Sequence, residues 1–178
     1  DGDDWLINGQ KIFISGADKG DFGLVFARTN PDKGRAGVTC FIVDSDTPGF
    51  HVRRVVHTLR STYYGTELQF EDMRVPAANV LGEVDGGFGI ANERLTENRI
   101  PYAANCVGVA QRAQDMAIEY VKIRETFGDL LATRQTIQNM IIDNELDIRT
   151  SRWLTLAAAH KAERGEPFRA EAAMAKLA

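Results

Sequence analysis

The chain has 178 residues, of which 44% are hydrophobic and 26% charged, and a formal net charge of -4. That is length enough to bury a core in one ordinary domain or two small ones, with the composition of a soluble globular protein. The acidic balance argues against nucleic acid as the main partner, because phosphate binding needs a basic face, and no apolar run approaches the ~20 residues that span a bilayer.

Residues 1–82 read as β structure. Asn8-Gly9, set between Trp5-Leu6-Ile7 and Lys11-Ile12-Phe13-Ile14, is the strongest short hairpin signal, since both residues tolerate positive φ. Further strands are expected at 24–27, 37–43, 50–56 and 66–70, with turns at Asn30-Pro31-Asp32, at 44–49 and at Val75-Pro76. No helical period interrupts them, so an antiparallel sandwich or barrel is predicted. Gly82 to Gly89 then holds four glycines. It lacks the Lys-Ser/Thr and the βαβ surroundings of a phosphate loop and reads as a hinge.

Residues 83–178 read as helical. From 87 to 123, residues such as Ile90, Leu95, Val107, Ala113 and Tyr120 recur at three or four, with a kink expected at Pro101, which lacks a backbone donor. A second helix fits Thr133 to Glu163, with Ile137, Met140, Ile141, Ile148 and Leu154 on one side. Gly165 suits its C-terminal cap, and Pro167 suits the first turn of a third helix that still runs at Ala178. That helix has an Ala/Met/Leu face with nothing left to pack against, and the chain opens at Asp1 without a methionine. A processed protein or a piece of a longer one is therefore expected, and the lack of a targeting segment carries no weight. Cys40 and Cys106 have no metal-ligand spacing and read as reduced, buried thiols in a reducing compartment. His51, His57 and His160 read as surface or interface residues.

Several segments, in this order, resemble the acyl-CoA dehydrogenase family. They are Asn8 to Ala17, Asp46-Thr47-Pro48-Gly49, Phe70 to Pro76, Asn79 to Gly82 with Gly87-Phe88, Arg99 ahead of an Ala-rich helix with Val107 to Ala113, Arg124-Glu125-Thr126-Phe127-Gly128, and Arg134-Gln135. The resemblance covers almost the whole chain. It implies an α+β fold, with an N-terminally incomplete middle β-domain over 1–82 and the first helices of a C-terminal up-down four-helix bundle over 83–178. It also implies an FAD cofactor, an acyl-CoA substrate and an assembly that is usually a homotetramer. Electrons would pass to an electron-transferring flavoprotein, in the bacterial cytoplasm or the mitochondrial matrix. In such enzymes a carboxylate removes the α-proton of the thioester while the β-hydrogen leaves as hydride, giving the 2,3-enoyl-CoA.

Strand alternation places Phe13 and Ser15 on one face and Ile12 and Ile14 on the other. A flavin ring needs an apolar wall and a hydrogen bond near N5, and the resemblance assigns Phe13, Ile14 and Ser15 to it, where the family more often has Trp and Thr. Arg124, Thr126 and Gln135 are carried over as contacts to the FAD of a neighbouring subunit, with Phe127 packed near the cofactor. Arg99 matches a family arginine that follows a CoA-binding Asp by three residues. Thr96 stands in the place of that Asp, so both are candidate substrate contacts. A subset of relatives has a basic Glu just before this arginine. Here it is Asn98, whose amide cannot abstract a proton, and Glu97 points about 100° away around a helix. The catalytic base is expected beyond Ala178. The Thr58–Gly65 stretch departs from the family's Gly-x-Arg pattern, as a loop for an unusual acyl group or as an alternative surface loop. Two rival readings stand beside the dehydrogenase: a same-fold flavin oxidase or monooxygenase, and a non-catalytic relative that kept the scaffold.

Overall fold

Period-two alternation builds two three-stranded antiparallel sheets from the first half of the chain. The computed structural model describes residues 4–57 and 65–178, so the departure read at 58–65 lies outside the described residues except for Gly65. In one sheet β5 (Gly65–Pro76) is flanked by β1 (Asp4–Ser15) and β4 (Phe50–Val56). In the other, β3 (Val38–Asp44) lies between β2 (Phe22–Arg28) and the short β6 (Val80–Leu81). Ile7, Leu68, Phe70, Met73 and Val75 from the first sheet meet Val25, Phe41 and Val43 from the second in one buried cluster. The Trp5 and Phe41 rings meet edge-on across the layers at 5.6 Å. The unit is a β-sandwich.

The expected hairpin at Asn8-Gly9 does not form. β1 runs unbroken through both residues, and its partner is β5 rather than its own continuation. The register slips there instead, from Ile7↔Met73 to Gly9↔Phe70. Asn8 closes the irregularity with its side chain: Nδ2 donates to Asp72 Oδ1 at 3.0 Å, and Oδ1 accepts from the Asp72 amide at 2.8 Å. Asp72 takes φ +46°. Asn-Gly thus signals a local positive-φ irregularity, here a bulge rather than a turn. The apolar phase of β5 records the same slip, with Leu68 and Phe70 buried before it and Met73 and Val75 after it.

The glycine-rich segment read as a hinge is fastened along the sandwich. The Asp85 carboxylate accepts from Thr29 Oγ1 at 2.7 Å and from Lys33 Nζ at 2.8 Å. The Asp85 amide donates to the hydroxyl of fully buried Thr39 at 2.8 Å. Gly87 lies so close that a Cβ there would sit 2.6 Å from the Cys40 amide nitrogen. Arg35 covers the Phe88 ring at 5.6 Å.

The second half is helical: α1 (Gly87–Glu97), α2 (Arg99–Val121), α3 (Gln135–Glu163) and α4 (Arg169–Leu177). The antiparallel sheets followed by helices make the fold α+β. The chain divides into two compact units, Asp1–Asn92 and Glu93–Ala178. The expected single helix over 87–123 is two, parted at Asn98. Pro101 explains the break, since it has no N–H to donate to the carbonyl four residues earlier. Within the second unit Ala103, Ala158 and Ala175 join α2, α3 and α4. The buried face of α2 is Ala103, Val107 and Gln114, whereas Leu95 and Tyr120 of the expected stripe are exposed, as is Cys106, which was expected to be buried like Cys40. Gly165 caps α3 at φ +67°, its amide donating to Ala162 and that of Glu166 to Lys161. Pro167 precedes α4 instead of entering its first turn, since Phe168 is the N-cap.

Candidate functional site

Phe13, Ile14 and Ser15 end β1, an edge strand of its sheet. Strict alternation fails at Phe13. The ladder passes from Ile12↔Glu67 to Ile14↔Thr66, which leaves Phe13 as the extra residue of a bulge at φ +61°. The buried Thr66 hydroxyl donates to the Ile14 carbonyl at 2.8 Å and pins the strand beyond the bulge. The Phe13 ring is pushed out, 64% exposed, and the Ser15 side chain is exposed as well. A cleft of ≈ 270 Å³ beside them is lined by Ile14, Ser15, Ala17, Phe22, Leu24 and Phe50 among others.

Arg124, Thr126, Phe127 and Gln135 come together in the second unit. β7 (Glu125–Thr126) and β8 (Asp129–Leu130) pair as a hairpin whose two-residue loop is Phe127-Gly128, at φ +53° and +83°. Positive φ at both central residues matches the strand twist. The Leu131 amide donates to the Arg124 carbonyl at 2.8 Å and closes the hairpin base. Phe127 projects from the tip and is 99% exposed. The Arg124 side chain is exposed, as is Gln135 at the first position of α3. The resemblance includes Arg134 beside Gln135 but gives it no role. Its guanidinium lies 5.7 Å from the Phe127 ring centroid, and its Nη2 donates to the Thr126 carbonyl. Nothing in the one-dimensional pattern marks its contact with Phe127, which exists only once the hairpin folds back on the start of α3.

Thr96 lies one residue before the end of α1 and Arg99 opens α2, both half-buried, on either side of the Asn98 junction. Asn98 keeps helical backbone angles and accepts from the Tyr102 amide at 3.3 Å. Among the described residues no group of three His, Cys, Asp or Glu side chains is placed to hold a metal ion, and no helix is long and apolar enough to cross a membrane.

A flavin dinucleotide asks for an aromatic or aliphatic wall, hydrogen-bond donors at the ring edge, and a cation with amide donors for the diphosphate. The residues present fit it. The β1 bulge offers an exposed ring, a hydroxyl and the outer edge of a strand that pairs on one side only. The hairpin and the start of α3 offer a second exposed ring with a guanidinium and a carboxamide.

The comparisons with known proteins agree along the whole chain. Residues 1–73 match the acyl-CoA dehydrogenase middle domain and residues 85–178 the acyl-CoA dehydrogenase C-terminal domain. The acryloyl-CoA reductase (NADH) of Anaerotignum propionicum is 41% identical over 175 residues, which are 98% of this chain and 44% of that protein. The structure of butyryl-CoA dehydrogenase from Megasphaera elsdenii superposes with a TM-score of 0.91 at 39% identity, over 98% of this chain and 46% of that one. PigA, solved with FAD and proline, superposes with a TM-score of 0.92 at 32% identity, over 97% of this chain and 45% of that one. The chain thus spans less than half the length of each of these relatives. Its two matched segments, in the family's own order, show that it belongs to the acyl-CoA dehydrogenase family.

Proposed function

We propose that the chain is the flavin-binding middle of an FAD-dependent acyl-CoA dehydrogenase, with residues 1–82 as its middle β-domain and 83–178 as the opening helices of its C-terminal bundle. The observation that carries this reading is the pair of exposed aromatic residues in left-handed backbone, Phe13 and Phe127. A soluble surface gains nothing from either, and each stands beside polar donors in a chain of a flavin-using family.

When bound, the flavin would supply the hydride acceptor for the β-hydrogen of the acyl group. The chain's own residues would bind and orient. Phe13 and Ile14 would wall one side of the ring and keep water from it, and the Ser15 hydroxyl would hydrogen-bond at the ring edge. Arg124, Thr126 and Gln135 would hold the dinucleotide of a neighbouring subunit's FAD, with Phe127 packed near it. Thr96 and Arg99 would contact the CoA arm, Thr96 through a hydroxyl and so with neutral charge. No residue of the chain is offered as the base: the Asn98 amide cannot take a proton. A homotetramer, an electron-transferring flavoprotein as electron acceptor, and a bacterial cytoplasmic or mitochondrial matrix setting complete the proposal.

The test is an anaerobic visible spectrum of the full-length protein before and after acyl-CoAs are added, with butyryl-CoA and acryloyl-CoA in the panel. Bleaching of a yellow protein by a saturated acyl-CoA is the expected outcome. Flavin that no acyl-CoA reduces would replace the dehydrogenase with an oxidase, a monooxygenase or a silent relative. A colourless protein that cannot be loaded with FAD would remove the roles given to Phe13, Ser15 and Arg124.

A further inference from the structure

The tip of the β7–β8 hairpin holds Phe127 in a costly state. Its ring is 99% exposed and its backbone stands at φ +53°, in a loop position that Asn or Gly fills far more readily. Arg134 touches both the ring and the backbone that carries it. Its guanidinium lies over the ring, 5.7 Å from the centroid, within the range of a cation–π contact. Its Nη2 donates to the Thr126 carbonyl, the peptide that leads into Phe127. Arg134 Nε, by contrast, is buried without a hydrogen-bond partner, the one such side-chain atom among the described residues. The side chain is held by that Nη2 bond to the Thr126 peptide and by the ring it faces. The main chain of the same residue starts α3, its carbonyl accepting from the Gln138 amide at 3.1 Å. One side chain therefore ties the hairpin tip to the helix that begins with Gln135.

We propose that Arg134 is a positioning residue for the cofactor: it locks the Phe127 ring outward and in register with Gln135, so that both meet FAD as one preformed surface. The inference rests on the flavin reading above. Arg134 acts through Phe127 and needs no contact with FAD. The gain is preorganisation, because the aromatic side chain and the turn are ordered on folding and need not be ordered on binding.

Apo full-length protein would be titrated with FAD, following flavin fluorescence, for the wild type and for Arg134→Gln, Arg134→Lys, Phe127→Ala and the double variant Phe127→Ala/Arg134→Gln. Arg134→Gln is expected to weaken FAD binding about threefold, the scale of a lost cation–π contact at an exposed ring. Phe127→Ala should weaken it at least as much. The double variant should bind no more weakly than Phe127→Ala alone, and Arg134→Lys should recover part of the loss, since an ammonium also attracts a ring face. The cycle separates positioning from general damage, because damage by Arg134→Gln would add to the Phe127→Ala loss. Additive losses, or Arg134→Gln binding FAD as tightly as the wild type, would overturn the inference and leave the flavin reading standing. A wild type that cannot be loaded with FAD would overturn that reading and this inference with it.

Discussion

Asp85 is a residue whose surroundings decide its charge. The Lys33 ammonium, hydrogen-bonded to the carboxylate, and next the Thr29 hydroxyl hold its pKa below the ordinary carboxylate value. A depressed folded-state pKa means stability that is present above the unfolded value, about 3.9, and lost as pH falls through the folded one. The Asp85→Asn variant is therefore expected to melt below the wild type at pH 7, with the gap closing as the pH drops into the acid range. Melts from pH 7 to pH 3 check this, and a gap that stays constant would mean that the carboxylate's ionisation contributes nothing. Asp85 stands at φ +68° inside a run of glycines. From sequence alone the run looked slack, because glycine content reports what backbone angles are permitted and says nothing of the hydroxyls at Thr29 and Thr39 that fill them.

At the scale of elements, strands were more legible than helix faces. β4 was read at its observed bounds and β2 and β3 to within two residues, because Val, Ile and Phe alternate there between turn residues. α2 is different. Alanine occupies several of its faces, so a period of three or four fits more than one stripe, and the stripe that packs includes Gln114, 3% exposed. Its Nε2 donates to the Ile141 carbonyl of α3 at 2.7 Å. That carbonyl lies inside a helix and keeps its helical donor, so Gln114→Leu should cost less than about 1 kcal/mol, whereas Gln114→Ala loses the bond and leaves a void, at about 1–3 kcal/mol. Denaturant titration ranks the two variants, and equal losses would show that the contact to Ile141 matters more than the filling of space. The positions of the proposed site came from resemblance. Its shape was not legible, since the bulge at Phe13 and the fold-back of Arg134 are set by partners 8 to more than 50 residues away.

For the whole molecule, the proposed cofactor is part of the stability. A ligand that binds only the folded state adds about 2.7 kcal/mol at a hundredfold excess over its dissociation constant. The melting temperature of the full-length protein is expected to climb with added FAD and to climb less in Arg124→Met, as differential scanning fluorimetry would show. Identical shifts in the two proteins would remove Arg124 from the dinucleotide site.

The bulge at Phe13 has one more consequence. The ladder steps from Ile12↔Glu67 to Ile14↔Thr66 as though residue 13 were not there. A chain lacking Phe13 could zip β1 to β5 without a gap and with every other side chain still on its own face, whereas losing Leu68 would turn part of β5 inside out. The sheet can spare the very residue that the proposed site needs. Excision of Phe13 is therefore expected to yield a protein that folds, melts cooperatively and takes up FAD poorly, which parts what the strand requires for its shape from what it keeps for its work.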